Sequence, residues 1–142
     1  MKIFLATPIA GFESQAELHK YKEEIVQLVS RLKTKGTVWA EVDKMFSAED
    51  YDCPQYSLIT DLKHITEADI FILHYPKKIV TSALMELGFA VALKKKIIII
   101  TPEKSILPYL ALGLTKETNT VIVESKNLSD ECIKRILEEV SK

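Results

Sequence analysis

The chain has 142 residues, 47% hydrophobic and 27% charged, which matches one ordinary domain with a real core. Its 19 Lys and Arg against 20 Asp and Glu leave a net charge of -1, so it has neither the basic footprint of a nucleic-acid binder nor the polybasic signal of a membrane-surface protein. No run reaches the roughly 18 apolar residues of a membrane span, MKIFLATPIAG lacks the marks of a signal peptide, and the distant Cys53 and Cys132 point to free thiols in a reducing cytoplasm.

In chain order, KIFLAT (2–7) is short and apolar, as a strand buried on both faces should be. The loop TPIAGF (7–12) leads into a helix expected over about 13–34, where Tyr21, Ile25, Leu28, Val29 and Leu32 share one face. TVWAEV (37–42) reads as the second strand, with Trp39 as core. The irregular stretch from Asp43 to Tyr56 reads as an insertion at the edge of a site. A helix over 57–67, the strand DIFILH (69–74) and the loop HYPKKIVTS (74–82) follow, and then a helix over 82–94. KIIIIT (96–101) is the fourth strand, 104–112 a helix interrupted by Pro108, TVIVE (120–124) the fifth strand, and 129–141 a final helix with Ile133, Ile136, Leu137 and Val140 inward.

Five strands alternating with five helices imply an α/β fold, one flavodoxin-like, Rossmann-like three-layer sandwich over residues 1–142. Its parallel sheet is expected to run in the order 2-1-3-4-5. Ligands of such sheets bind outside the carboxyl ends of the strands, where the order reverses between the first and third. Those ends are TPIAGF and HYPKKIVTS.

The chemistry can be narrowed by elimination. Only four glycines are present, and none makes a dinucleotide or P-loop pattern, so no cofactor is expected. His19, His64 and His74 are scattered, without metal spacing. One residue stands out: between Ala83 and Leu93 every residue is apolar or glycine except Glu86. Desolvating an unpaired carboxylate there costs several kcal/mol, on a scale of roughly 2–7 kcal/mol or more. A capping box would need Ser or Thr at position 83, and Ser82 stands one residue too early. A first-turn carboxylate gains about 0.3–1 kcal/mol from the helix dipole, little beside the burial cost. The functional reading is a nucleophile for a sugar carbon, kept ionised by the dipole and stripped of water by its neighbours. From the pattern alone, the structural and functional readings both stand.

The blocks KIFLATPIAG, Asp61 eight residues before Asp69 of "EAD", and Glu86-Leu87-Gly88-Phe89-Ala90 resemble the nucleoside 2-deoxyribosyltransferase family, and in particular its 2'-deoxynucleoside 5'-phosphate N-hydrolase branch. That family carries a small-residue loop after the first strand, an aspartate before an "AD" dipeptide, and E-L-G-x-A on the next helix. The resemblance implies that Glu86 attacks the anomeric carbon and holds the sugar as an ester, and that Asp61 positions the nucleoside and passes a proton to the leaving base. Without it, Asp61 reads as an exposed helix residue and Asp69 as a partner of nearby backbone amides. Cleavage through an oxocarbenium-like state needs this division of labour. Where relatives place Asp or Ser six residues before the nucleophile, this chain has Val80, and Ser82 replaces a glycine, so Thr81 or Ser82 is expected to supply the hydroxyl at the sugar 5' end.

Further substrate contacts are softer. Thr7, Ile9, Ala10 and Gly11 can offer backbone N–H groups to the sugar-phosphate end, and Tyr75 and Phe12 can flank a base. Lys77 and Lys78 can meet a phosphate, although a solvated pair is the commoner outcome. His74 can protonate a base or sit in an internal hydrogen bond. The resemblance implies an enzyme on a small nucleoside or nucleotide, hydrolase or transferase, and a homodimer or higher oligomer with a neighbour beside the site. Two rivals stand: a TIR-like NAD glycohydrolase with the same sheet and a helix-borne glutamate, and a non-catalytic nucleotide-binding signalling domain.

Overall fold

The computed structural model describes residues 1–41 and 53–142. The expected insertion therefore lies outside the described residues, apart from 53–56. Strands β1 (Lys2–Ala6), β2 (Thr37–Ala40), β3 (Ile70–His74), β4 (Lys96–Thr101) and β5 (Thr120–Glu124) form one sheet, ordered β2-β1-β3-β4-β5. Every pairing is parallel, with Leu5 beside Ile72 and Ile72 beside Ile98. Because successive strand residues point to opposite faces, the continuous apolar runs feed two cores. Ile3, Leu5, Ile72, Ile98 and Ile100 meet Ile25 and Leu28 of α1 (Gln15–Leu32) and Ile133 and Ile136 of α5 (Asp130–Val140). Phe4, Phe71, Leu73, Ile97 and Ile99 meet Ile65 of α2 (Pro54–Glu67) and Leu87 and Ala90 of α3 (Ala83–Ala92).

The helix starts follow local chemistry. Ser14 accepts the Glu17 amide at the head of α1, and Ser129 does the same for Cys132 in α5. α2 begins three residues before the expected boundary because Pro54 suits the first helical position, where no N–H is needed. The helix expected over 104–112 is not a single element. Pro108, which lacks an N–H and restricts the residue before it, divides it into 3-10 turns at Lys104–Ile106 and Tyr109–Gly113, followed by the short α4 (Leu114–Glu117). At the opposite end of the sheet, Lys95 Nζ donates to the carbonyls of Thr66 and Ala68 at the end of α2, and Lys96 Nζ to that of Glu139 in α5. Asp69 accepts the Lys2 amide at 2.8 Å, tying the start of β3 to β1.

Candidate active site

α2 and α3 lie side by side on one face of the sheet, and between their N-terminal halves is a cleft of about 400 Å³. Pro54, Ser57, Leu58 and Asp61 of α2 line it, at the i, i+3, i+4, i+7 spacing of one helical face. From the α3 side come Ser82, Met85, Glu86 and Phe89. Ile9, beyond β1, and Glu41, directly after β2, complete the described lining. The cleft thus lies beyond the carboxyl ends of the central strands, as the strand order requires.

Three carboxylates from three elements share this space. Asp61 is buried, only 8% exposed, and is no surface helix residue. Glu86 is half-buried, and its carboxyl is pushed up from 4.5 to about 8, first by burial and then by the neighbouring charges of Asp61 and Glu41. The Glu86 carboxyl is therefore held in its protonated form at neutral pH, against the expectation that the helix dipole keeps it ionised. At about 1.4 kcal/mol per pH unit, burial and like charge outweigh a first-turn dipole of about 0.3–1 kcal/mol. Among the described residues, no three His, Cys, Asp or Glu side chains stand at metal-holding spacing.

The other expected site residues divide. Ile9 and Ser82 face the cleft, and Ser82 makes no side-chain cap for α3, leaving its hydroxyl to the site. Thr81 Oγ1 instead accepts the Ala83 amide at 3.2 Å and starts the helix. Thr7 is buried at the end of β1, and its Oγ1 has no hydrogen-bond partner among the described residues. Ala10 and Gly11 are exposed and outside the cleft lining. Gly11, at φ 86, lies so close to Ile79 that a Cβ would stand 2.7 Å from its Cδ1, so its role is to let the two loops touch.

Tyr75 does not flank the cleft. It is buried, and its hydroxyl takes the Ile79 amide and donates to the Ile79 carbonyl. Phe12 packs on Tyr21, with the Lys77 ammonium 5.1 Å from its ring centre. Lys77 is paired with Glu17 at 2.8 Å, and that pairing lowers the Glu17 carboxyl. His74 shares a 2.9 Å hydrogen bond with the Tyr21 hydroxyl, and burial lowers it to about 4, which makes it neutral and no proton donor at pH 7. Trp39 is only half-buried, stacked on His64 at 3.6 Å between ring centres.

Sequence reasoning missed Glu41, Pro54, Ser57, Leu58, Met85 and Phe89 as lining residues. For Phe89 a signal existed, since it fills the variable position of Glu86-Leu87-Gly88-Phe89-Ala90. Glu41 had none, because it falls at the end of a strand pattern and its approach to Glu86 depends on the order of strands.

A family model described as nucleoside 2-deoxyribosyltransferase matches residues 3–132. No curated protein sequence matches the chain. Among solved structures, Clostridium botulinum CMP N-glycosidase, BcmB, is similar with a TM-score of 0.71 and 24% identity, over 97% of this chain and 99% of that one. BlsM is similar with a TM-score of 0.70 and 20% identity, over 99% and 94%. A conserved protein from Enterococcus faecalis V583 gives 0.63 and 16%, over 99% and 97%. At these identities the structural likeness speaks for the fold.

Proposed function

The chain belongs to the nucleoside 2-deoxyribosyltransferase family, enzymes that cleave or transfer nucleoside N-glycosidic bonds, and we propose that it does so through a covalent ester on Glu86. The observation that carries this reading is the meeting of Glu86 and Asp61 across one cleft at the switch point of the sheet. The substrate is a nucleoside or nucleoside 5'-monophosphate. Before substrate binds, Glu86 holds a proton. When substrate binds, that proton passes by way of Asp61 to the base nitrogen, which also takes the electron pair of the breaking C1'–N bond. Glu86, now a carboxylate, forms the bond to C1'. Water then cleaves the sugar ester; a second base in its place would give transfer. Hydrolysis is the reaction we assign, on the strength of the sequence blocks that resemble the N-hydrolase branch. The Ser82 hydroxyl sits beside the sugar 5' end.

Lys77, already held by Glu17, gives no support to a phosphate preference, and the neighbouring exposed Lys78 is the cation left for that part. We also read residues 1–142 as a single domain acting as a homodimer in a reducing cytoplasm. Both cysteines are free, and no described helix is long and apolar enough to cross a membrane.

The test is release of free base from a panel of nucleosides, deoxynucleoside monophosphates and NAD. Base from a nucleoside or its monophosphate is expected. Nicotinamide alone would indicate a dinucleotide glycohydrolase, and tight nucleotide binding without release would indicate a binding domain. Asp61→Asn is expected to lower turnover by about 10²–10⁴-fold, the usual worth of positioned proton transfer. Undiminished turnover in this variant would remove Asp61 from the chemistry.

A further inference from the structure

The lining of the cleft combines carboxylates with apolar side chains: each helix brings one carboxylate, and beside them stand Pro54 and Leu58 of α2 and Met85 and Phe89 of α3. Met85 and Leu58 are among the exposed large hydrophobic residues, although a few residues away the same helices bury Ile65 and Leu87 almost completely. Within Glu86-Leu87-Gly88-Phe89-Ala90, Leu87 and Ala90 point into the core, and a Cβ on Gly88 would meet nothing within 4 Å. Phe89 follows Glu86 by less than one helical turn, so both side chains reach the same cleft. Packing accounts fully for Leu87 and Ala90, whereas Phe89 packs against the core with only part of its surface and lines the cleft with the rest.

We propose that Phe89 is the residue that recognises the leaving group: its ring stacks on the planar heteroaromatic base, Leu58 faces it from α2, and Met85 closes the rim. This rests on the N-glycoside reading of the site and adds the orientation of the substrate, sugar over Asp61 and Glu86, base against the apolar side chains. Sugar hydroxyls and phosphates need hydrogen bonds or charge, which aliphatic and phenyl side chains do not supply, whereas a base presents a flat π face. A cleft of about 400 Å³ is within the usual size of small-molecule sites. Stacking acts on ground state and transition state alike, so its loss appears in KM and leaves kcat in place.

Phe89→Tyr, Phe89→Leu and Phe89→Ala test this, with 2'-deoxycytidine, 2'-deoxyadenosine and their 5'-monophosphates as substrates. Phe89→Tyr keeps wild-type KM. Phe89→Ala raises KM about tenfold, equivalent to about 1.4 kcal/mol, with kcat nearly unchanged. Phe89→Leu keeps most of the packing but not the ring; as a folded protein, checked by its melting curve, it still shows raised KM. A second readout is independent of turnover: equilibrium dialysis of cytosine and adenine against wild type and Phe89→Leu. Weaker base binding by the variant supports the assignment even if wild type releases no base, in which case the reaction reading fails and the base subsite stands. Equal base binding by both proteins overturns the assignment, as does a fall in kcat at constant KM, or failure of the wild type to bind either base.

Discussion

Glu86 lies in α3 between Met85 and Leu87, and its folded value of about 8 stands above the ordinary 4.5. Between those pH values the folded protein holds a proton that the unfolded chain releases, so this group's contribution to stability is fully present below about 4.5 and falls as pH rises towards 8. Glu86→Gln has nothing to titrate. Its melting temperature is expected to lie near that of wild type at pH 5 and above it at pH 9, while base release is nearly abolished; parallel curves at both pH values would contradict the raised value. The charge of Glu41 adds to the rise. With Glu41→Gln, carbon NMR of labelled glutamate side chains should find the Glu86 midpoint below its wild-type position near 8. The burial cost of Glu86 was legible in the sequence because every neighbour is apolar. The further push from Asp61 and Glu41 was not, since both lie far from it along the chain.

At the scale of elements, the positions of Asp61 and Glu86 depend on how α2 and α3 are anchored. α2 ends on Lys95, whose ammonium donates to the carbonyls of Thr66 and Ala68, where the end of the helix leaves acceptors without intrahelical amide donors. Cationic groups at helix carboxyl ends also oppose the dipole favourably. Lys95→Met keeps the aliphatic stem and removes the charge, and is expected to cost about 1.5–3 kcal/mol, the range for hydrogen bonds to charged groups. Urea denaturation should show a lower midpoint at unchanged slope; an unchanged midpoint would mean that water replaces Lys95. In the sequence, the three consecutive lysines at 94–96 suit a helix end by charge alone. Which helix ends they serve is set by the packing of α2 and α5 against the start of β4. Helix periodicity located α1 and α5 because their apolar faces repeat over several turns. It failed at 104–112, where Pro108 interrupts too short a stretch for one helix to form.

For the whole molecule, the exposed apolar surface bears on assembly. Tyr56, Ile59 and Leu62 run along one side of α2, Ile59 being 69% exposed, and Val80, at 98%, stands at the loop before α3. A second copy that covers α2 would remove this surface from water and lie beside the cleft, since Leu58 and Asp61 belong to the same helix. Sedimentation of the wild type at micromolar concentration is expected to give a dimer, and Ile59→Asp a monomer with a similar melting curve at low concentration. A monomeric wild type at high micromolar concentration would count against this assembly.

The sequence by itself determined the layer architecture and the strand order, because doubly buried strands and amphipathic helices alternate along the chain and short crossovers admit few arrangements. It also singled out the two carboxylates on which the proposed chemistry rests: Glu86 is conspicuous among apolar neighbours, and Asp61 was named through the family resemblance, by its place before "EAD". Only the tertiary structure decided which residues share the cleft. It placed Tyr75 under its own loop, engaged Lys77 with Glu17, gave Thr81 to the start of α3, and brought Glu41 and Phe89 to Glu86. The physical reason is twofold: Lys77 with Glu17 and Glu41 with Glu86 are meetings of residues distant in sequence, which no local pattern records, while Tyr75 and Thr81 bond to near neighbours through loop conformations that propensity alone does not set.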